Sequence, residues 1–275
     1  MSETVEQVFR DRVEIVLAGH VAQVFLARPD KLNAIDPDMF DAIIEAGEWL
    51  AARTDVRAVV LAGRGRMFCA GLDFASFAAM ASGEDAASDL PPLEERTHGL
   101  ANRPQHACLL WRDLPVPVIA AIEGGALGGG LQIALGADLR ILHPDAQMAI
   151  AEIRWGLVPD MGGIDLLRGL VRDDHLRSLT YTGRSVVGED AVALGLATET
   201  AGDPLARALE LAHEIAGSSP TAMRGAKRLL NLAADSDRAH ILMQESIEQA
   251  RLMGSADQVE AVMARMEKRA PVFSG

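Results

Sequence analysis

Cysteine is scarce in this chain, which has only Cys69 and Cys108 among its 275 residues. Two cysteines are too few for a disulfide framework, and neither lies at the CxxC spacing of a metal site. The sequence therefore predicts no structural zinc and no other bound metal. Cys69 also has no histidine partner that the sequence identifies, so we interpret it as a small buried residue rather than a nucleophile.

Long apolar segments are also missing, because no stretch approaches the roughly 18 residues that a membrane span needs. Residues 1–6 are polar and acidic, and they lack the basic start and apolar stretch of a signal peptide. Basic charge is deficient as well, since 26 Lys and Arg against 39 Asp and Glu give a formal net charge of -13. Such an acidic balance disfavours nonspecific nucleic-acid binding. We expect a cytoplasmic protein that binds neither membranes nor nucleic acids.

The chain does contain apolar runs that alternate with helical segments. Runs typical of strands lie at residues 13–17, 21–26, 56–62, 116–122, 139–142 and 148–150. The first two flank a short polar turn and predict a β-hairpin. Asp36-Pro37 supplies the cap and the first-turn proline with which a helix begins. With 49% hydrophobic residues, the chain can bury a large core, and the pattern predicts an α/β fold.

The character of the sequence changes near residue 200. Beyond it we find only helical segments, which begin at Asp203-Pro204, at Ser219-Pro220 and at the capping box of residues 255–258. We therefore predict two parts, a core over residues 1–200 and a helical region over residues 201–275. Residues 81–107 are polar and interrupted by prolines, which predicts a loop or lid.

The most informative motif is the glycine cluster of residues 124–130, Gly-Gly-Ala-Leu-Gly-Gly-Gly. It follows the run 116–122 and precedes a helical segment, so it places bare backbone where a ligand can come close. The first N–H groups of a helix have no partner within the helix, and the helix dipole favours negative charge beside them. We expect this cluster to bind an anion or an oxyanion.

A second glycine turn, at residues 68–73, follows the run 56–62. If the strands before the two turns are close in the sheet, N–H groups from separate turns can converge on one oxygen as an oxyanion hole. Other glycine motifs fit less well. The cluster lacks the lysine of a P-loop and the spacing of the dinucleotide fingerprint GxGxxG, although Asp145 lies about 20 residues beyond it. A dinucleotide site is the weaker alternative, and the GxSxG of serine hydrolases is absent.

Four segments together resemble the successive motifs of the crotonase family, the enoyl-CoA hydratase/isomerase superfamily. They are residues 28–35 (RPDKLNAI), 68–73 (FCAGLD), the glycine cluster and 156–163 (GLVPDMGG). The resemblance implies a spiral core of ββα units followed by a helical region, assembled as a homotrimer or a dimer of trimers. It also implies an acyl-CoA thioester substrate, with coenzyme A as part of that substrate and no separate cofactor.

The resemblance also implies roles for individual residues. It places the oxyanion donors at the N–H groups of Ala70 and Gly129. The residues that it expects to line the bound thioester are Ala70, Gly71, Leu72 and Asp73. The two acid/base positions of the family fall on Gln132 and Glu152. Both are glutamates in the water-adding members, whereas Gln132 can form hydrogen bonds but cannot transfer a proton at ordinary pH.

Glu152 is the predicted acid/base residue, because it ends the apolar segment 148–151 and such surroundings raise the pKa of a carboxyl. Gln132 would then orient water or a substrate group. Asp160 lies where the dienoyl-CoA isomerase branch carries an additional acid, but that branch has aspartate in place of Gln132. We expect an enoyl-CoA hydratase-like enzyme. The alternatives are a double-bond isomerase that uses Glu152 and Asp160, and a CoA-thioester-binding module that has lost catalysis.

The phosphates of coenzyme A require basic residues within this acidic chain. The candidates are Arg28, Lys31, Arg64, Arg66, Lys268 and Arg269. We expect the last two, near the C-terminus, to reach the ligand of a neighbouring subunit. The histidines form no spaced cluster and are not predicted to be catalytic. The sequence does not predict the length or branching of the acyl chain.

Overall fold

The computed structural model describes residues 5–76, 82 and 91–274, with side chains from residue 7 onward. The strands are β1 (Val5–Phe9), β2 (Val13–Ala18), β3 (Val21–Leu26), β4 (Ala58–Gly63), β5 (Val118–Ile122), β6 (Gly125–Leu127), β7 (Leu139–Leu142), β8 (Gln147–Ala149), β9 (Val186–Val187) and β10 (Glu199–Thr200). The α-helices are α1 (Pro37–Ala51), α2 (Arg103–Asp113), α3 (Gly129–Gly136), α4 (Gly163–Leu167), α5 (Asp173–Thr182), α6 (Gly188–Ala193), α7 (Pro204–Ala216), α8 (Pro220–Ala233), α9 (Arg238–Leu252) and α10 (Ala256–Glu267).

A 7-stranded sheet has the order β1-β2-β3-β4-β5-β7-β10, and a 3-stranded sheet has the order β6-β8-β9. The first three strands of the large sheet are antiparallel, and the pairs from β3 onward are parallel. Pairing of Val13 with Leu26 confirms the predicted hairpin, and the alternation of strands and helices confirms the α/β fold. Strand β1 was not predicted, because its polar residues hide the alternation of a sheet edge.

Both faces of the central strands are buried, which explains why these strands are continuous apolar runs. In β4, Val59 and Leu61 face one hydrophobic cluster, while Val60 and Ala62 face the other. Helices α1 and α2 pack in the first cluster, and α7 covers the opposite face through small residues such as Ala208. A helix from the predicted C-terminal region thus packs on the sheet, and the boundary near residue 200 stays a prediction.

The helix starts follow local capping chemistry. The Asp36 side chain accepts the N–H of Met39 at 2.9 Å, and Asp203 and Ser219 cap α7 and α8 in the same way. Ser255 caps α10, but the Gln258 side chain accepts the N–H of Gly254, so the predicted capping box forms only in part. These starts confirm the helices that the sequence predicts.

The predicted lid at residues 81–107 is wrong over its last part, because α2 begins at Arg103. Asn102 and Gln105 form a reciprocal capping box, in which each side chain accepts the backbone N–H of the other residue. This pair starts the helix despite its polar surroundings. Residues 81 and 83–90 of the predicted lid lie outside the described residues.

In the part of the chain that the structure describes, no helix is both long and apolar enough to cross a membrane. Within the same residues, no group of three or more His, Cys, Asp and Glu side chains is arranged to hold a metal ion.

Candidate active site

The two glycine turns lie side by side because the strands before them are neighbours. Strand β4 pairs with β5 in parallel, so the two strands end at the same edge of the sheet. Beyond the strands, the Cys69 N–H donates to the Gly125 carbonyl at 3.2 Å, and the Leu127 N–H donates to the Cys69 carbonyl at 3.1 Å. The turns therefore meet through their backbones, as the sequence predicts.

The glycine cluster is a short strand followed by a helix start, and not the single turn that the sequence suggested. Residues 125–127 form β6, which pairs with β8, and Gly128 is the N-cap of α3. A Cβ atom on Gly124, whose φ is +62°, would lie 2.0 Å from the Arg66 carbonyl oxygen. A Cβ on Gly130 would lie 2.5 Å from the Cys69 carbonyl oxygen. Only glycine allows the two turns to approach this closely.

Ala70 is not available as an oxyanion donor, because its N–H donates to the Leu32 carbonyl at 3.0 Å. This corrects the prediction. Ile35 and Leu72 form a parallel β-bridge, in which the Ile35 N–H donates to Gly71 and the Asp73 N–H donates to Ile35. Leu72 lies between Gly71 and Asp73, the two residues that bond to Ile35. In a parallel bridge, the N–H of such a middle residue points away from the partner strand. The Leu72 N–H therefore points away from Ile35.

The Leu72 and Gly129 N–H groups have no hydrogen-bond acceptor among the residues that the structure describes. They come from adjoining segments. A Cβ atom on Gly71 would lie 2.8 Å from the Leu127 carbonyl oxygen and 3.8 Å from the Gly129 nitrogen. Sequence analysis missed Leu72 as a donor. Along an extended segment successive N–H groups point to opposite sides, and this alternation was the only signal for Leu72. It identifies the donor only when Ile35 is known to be the partner of the segment.

Glu152 begins a short 3-10 helix (Glu152–Trp155) that follows β8 after two intervening residues, and it is buried. Its Oε1 atom accepts a hydrogen bond from Gln132 Nε2 at 2.7 Å. Its Oε2 atom is buried and has no hydrogen-bond partner among the described residues. A Cβ on Gly128 would lie 3.5 Å from Oε1, so the carboxyl is beside the start of α3. The site thus contains one uncommitted carboxylate oxygen.

Burial raises the pKa of Glu152, and the negative charge of Asp160 adds to the rise. Hydrogen bonds from the backbone N–H of Glu152 and from Gln132 act in the opposite direction, because they favour the ionised carboxylate. Asp160 is exposed, and partial desolvation by the surrounding protein raises the pKa of its carboxyl. Both carboxyls are therefore shifted toward the range in which a group can accept and return protons near neutral pH.

Gln132 is buried, and its oxygen faces the backbone of the turn at residues 161–163. Oε1 accepts the N–H groups of Met161 and Gly163, each at 2.9 Å. Two such bonds use both lone pairs of the amide oxygen. The expectation that Gln132 orients water or a substrate group is therefore wrong for its oxygen. The side chain instead connects Glu152 to the turn that follows Asp160.

Arg28 and Asp73 form a partly buried ion pair with an N···O distance of 2.5 Å. The same Arg28 nitrogen lies 3.4 Å from Asp36 and donates to the Ala34 carbonyl at 3.1 Å. The N–H of Ala75 and the Arg28 guanidinium lower the pKa of Asp73. Both residues were predicted to contact the substrate, but the structure pairs them with each other. Their bond fastens residues 70–73 to the start of α1.

We expect Arg28→Ala to lower the free energy of unfolding by about 1.5 to 3 kcal/mol, the usual value for a hydrogen bond to a charged group. Urea unfolding checks this. The contribution of the Arg28 pair to the free energy of unfolding should be fully present above the ordinary pKa of Asp73. It should decline as the pH falls through the lowered pKa of Asp73. Activity should also fall, because residues 70–73 lose an anchor.

Arg177→Ala is the matched control for Arg28→Ala. Arg177 forms an exposed pair with Asp173 on α5, at 2.8 Å. Exposed pairs contribute about 0.2 to 1 kcal/mol, so its loss should change unfolding little and activity not at all. Equal effects of the two substitutions would show that the Arg28 pair has no special role.

The structure narrows the set of basic residues that could meet the CoA phosphates. Arg64 pairs with Glu14 at 2.8 Å and lies over the Phe25 ring, and Arg269 pairs with Glu260 and Glu267. Some candidates are exposed and form no ion pair with any residue that the structure describes; they are Lys31, Arg66 and Lys268.

Cys69 is buried, and its thiol lies 3.0 Å from the carbonyl oxygen of Asn33, to which it donates. Burial raises its pKa to about 12. A thiol with this pKa is protonated at neutral pH and is a poor nucleophile. The geometry agrees with the interpretation of Cys69 as a small packing residue.

Comparison with known proteins identifies the family. The sequence matches the family described as Enoyl-CoA hydratase/isomerase over residues 17–275. It is 34% identical over 263 residues to the Mycobacterium tuberculosis protein named "Probable enoyl-CoA hydratase echA6", with 96% of this chain and 99% of the relative covered. It is 32% identical over 257 residues to the mouse mitochondrial Delta(3,5)-Delta(2,4)-dienoyl-CoA isomerase, with 91% of this chain and 77% of the relative covered.

The fold agrees with the sequence match. The crystal structure of an enoyl-CoA hydratase from Bacillus anthracis matches this chain with a TM-score of 0.85 at 27% identity, covering 96% of this chain and 99% of that chain. The chain belongs to the enoyl-CoA hydratase/isomerase family and has the crotonase fold. The family that the four sequence motifs indicated is thereby confirmed, and the protein is an enzyme of that family.

Proposed function

We propose that this enzyme moves the double bond of an enoyl-CoA thioester, with Glu152 as the base that transfers the proton. One observation carries the proposal: Glu152 Oε2 is a buried carboxylate oxygen without a partner among the described residues, while Oε1 is held by Gln132. An uncommitted oxygen with a raised pKa is suited to take a proton from carbon and to return it.

The N–H groups of Leu72 and Gly129 would bind the thioester carbonyl oxygen. When a proton leaves the α-carbon, this oxygen becomes an enolate oxyanion, and fixed donors bind the charged form more strongly than the neutral carbonyl. The α3 dipole adds to this preference, since Gly129 is the first residue of that helix. The proposal gives Gly129 the role that the sequence predicts, and it gives Leu72 the role that the sequence assigned to Ala70.

A 3-enoyl thioester would react through two proton transfers. Glu152 Oε2 removes a proton from the α-carbon, and the electron pair of that C–H bond forms the enolate. The enolate then collapses, the double bond forms between the α- and β-carbons, and the γ-carbon takes the proton back from Oε2. The carboxylate is regenerated, and no water or cofactor is consumed.

Hydration of a 2-enoyl thioester, the reaction that the family resemblance puts first, is the second candidate. Relatives named as hydratases favour it. Gln132 argues against hydration, because it is an amide that cannot transfer a proton. Its oxygen already accepts two backbone N–H groups. Addition of water would therefore depend on Glu152 alone, so we expect hydration to be slow.

Asp160 would receive or supply a proton further along the acyl chain. Its charge raises the pKa of Glu152, so the two carboxyls are close enough to interact. A pair of carboxyls could move a double bond over a longer distance than one carboxyl can. The mouse relative that is named a dienoyl-CoA isomerase makes a 3,5-dienoyl thioester a natural substrate to test.

A substrate panel tests the function. We expect wild-type enzyme to convert 3-enoyl-CoA or 3,5-dienoyl-CoA faster than it hydrates 2-enoyl-CoA, with products identified by mass spectrometry and by absorbance. Asp160→Asn should slow the dienoyl reaction more than the 3-enoyl reaction. Asp165→Asn, at an exposed position on α4, is the matched control.

Two results would contradict the proposal. Faster hydration than isomerisation would favour a hydratase. Binding of each thioester without turnover at any chain length would favour a CoA-thioester-binding module.

We also propose that the chain assembles as a trimer or a dimer of trimers through its helical region. Large apolar side chains are exposed there; they include Leu230, Leu242, Met243, Met253, Val259, Val262, Met263 and Met266. Exposed apolar residues clustered on one region are typical of protein interfaces. Light scattering in solution checks the mass, and a monomer would contradict the proposal.

A further inference from the structure

We propose that Gln132 is a positioning residue, which fixes the orientation of the Glu152 carboxylate and leaves Oε2 alone to face the substrate. The inference rests on the proposed role of Glu152 as the base. It is carried by three hydrogen bonds among buried groups, at 2.7, 2.9 and 2.9 Å, which join Gln132 to Glu152 and to two backbone N–H groups.

The two backbone donors decide which way the Gln132 amide points. Met161 and Gly163 each present an N–H to the same atom, so that atom must be an acceptor and is the amide oxygen. Flipping the amide would set its NH₂ group against two N–H donors. Nε2 must therefore face Glu152, and it must donate.

A fixed donor gives the two oxygens of Glu152 different roles. Oε1 is held by Nε2 at 2.7 Å, whereas Oε2 is buried without a partner among the described residues. A half-turn of the carboxyl would only exchange two equivalent oxygens, so the donor fixes the plane of the group, in which one oxygen is held and the other is left without a partner among the described residues. The Gln132 bond also favours the ionised carboxylate, and so opposes the effect of burial on the pKa. Gln132 thus fixes the orientation of the carboxyl, and together with the backbone N–H of Glu152 it favours the ionised form of the base.

The same amide ties the base to the turn of residues 161–163. A Cβ on Gly163 would lie 2.7 Å from Gln132 Oε1, so the turn and the amide are in close contact. Gly162, which has φ of +87°, gives the turn its shape. A displacement of this turn would move Gln132, and with it Glu152. The segment that carries Asp160 therefore helps to set the position of the Glu152 carboxyl.

Two substitutions separate the anchoring of the turn from the positioning of the base. Gln132→Glu keeps an oxygen that can accept both N–H groups, but it replaces the donor to Glu152 with a second carboxyl oxygen. The two carboxyls would then have to share a proton. Gln132→Met removes the donor and the acceptor together. A merely structural Gln132 would tolerate the first change better than the second, whereas a positioning residue would not.

We expect both variants to move the acidic limb of the kcat/KM profile to higher pH. The shift should be about one to two pH units for Gln132→Met, from the usual strength of a hydrogen bond to a charged group. It should be larger for Gln132→Glu, because the second carboxyl disfavours ionisation of the first. In both variants kcat for double-bond isomerisation should fall more than KM rises, since the altered contact is with the base.

A second readout does not need turnover. The free energy of unfolding is measured against pH for each Gln132 background, with Glu152 present and with Glu152→Gln. Because its pKa is raised on folding, Glu152 should cost stability as the pH rises from the ordinary carboxyl value to the raised one. In the Gln132→Met and Gln132→Glu backgrounds this interval should extend to higher pH.

Gln105→Glu is the matched control, because Gln105 also accepts a backbone N–H with its amide oxygen, but on α2 and in contact with Asn102. It should leave both readouts unchanged. The proposal is overturned if the two Gln132 variants have the pH profile of the wild type and the same stability interval for Glu152, even when their unfolding midpoints fall. If the wild type turns over no enoyl-CoA, the proposed function fails, but the unfolding readout still decides the role of Gln132.

Discussion

Glu152→Gln is expected to lower kcat/KM by about 10²- to 10⁴-fold on any enoyl-CoA that the enzyme converts, the range in which a general base contributes. The amide has nearly the shape of the carboxylate, but it cannot accept a proton from carbon. The same change should raise the free energy of unfolding at neutral pH, because Glu152 is buried with one oxygen that has no partner among the described residues. We therefore expect a more stable and nearly inactive protein.

The pH dependence follows from the raised pKa of Glu152. Below the ordinary carboxyl pKa, Glu152 is protonated in both the folded and the unfolded chain, so the variant gains no free energy of unfolding over the wild type. The gain should grow as the pH rises from that value and level off above the raised pKa. Urea unfolding at several pH values measures it. Activity retained in the variant would show that another group is the base, and lower stability at neutral pH would show that Glu152 is a structural residue.

Glu210→Gln is the control for Glu152→Gln. Glu210 is exposed on α7, where it makes a 3.3 Å ion pair with Arg207. Loss of this pair should change stability by less than about 1 kcal/mol and should leave activity unchanged. The comparison separates the effect of removing any carboxylate from the effect of removing that of Glu152.

Gly71→Ala is expected to lower kcat by about 10²- to 10³-fold, the usual loss when one oxyanion donor is removed. The φ angle of Gly71 is +93°, and its new Cβ would lie 2.8 Å from the Leu127 carbonyl oxygen. The two turns would have to separate, and the N–H groups of Leu72 and Gly129 would then no longer converge. Steady-state kinetics on the best substrate measures the loss.

Gly254→Ala is the matched control for Gly71→Ala. Gly254 has φ of +73° in the loop between α9 and α10, and no atom lies within 4 Å of its ideal Cβ position. An alanine there carries the cost of the left-handed backbone, about 1 to 2 kcal/mol, without a clash at the site. The proposed oxyanion pair would be contradicted if Gly71→Ala lost no more activity than Gly254→Ala at temperatures where both are folded.

Much of the fold could be predicted from the sequence because its signals are local. Apolar runs predicted the central strands, and the cap residues Asp36, Asp203 and Ser219 predicted helix starts within one turn of where they occur. The start of α2 was missed, although Asn102 and Gln105 are only three residues apart, because prolines and polar residues around them favoured a loop. A capping pair outweighed the composition of its surroundings.

The site was less predictable, because its details depend on pairings between distant residues. Glu152 could be found from its apolar segment and from the family motif. That the free donor is Leu72, and not Ala70, depends on the carbonyls of Leu32 and Ile35, which no local pattern connects to that turn. The pairing of Arg28 with Asp73, 45 residues apart in the chain, is likewise visible only in the folded protein.

The isolated bridge between Ile35 and Leu72 bears on how this active site can diverge during evolution. Leu72 offers its N–H through the main chain, while its side chain packs partly against the core. Every amino acid except proline carries that N–H. Replacements at this position can therefore change the packing beside the turn, while the N–H that we propose as an oxyanion donor is inherited unchanged. Under the proposed function, side chains can vary here without loss of that donor.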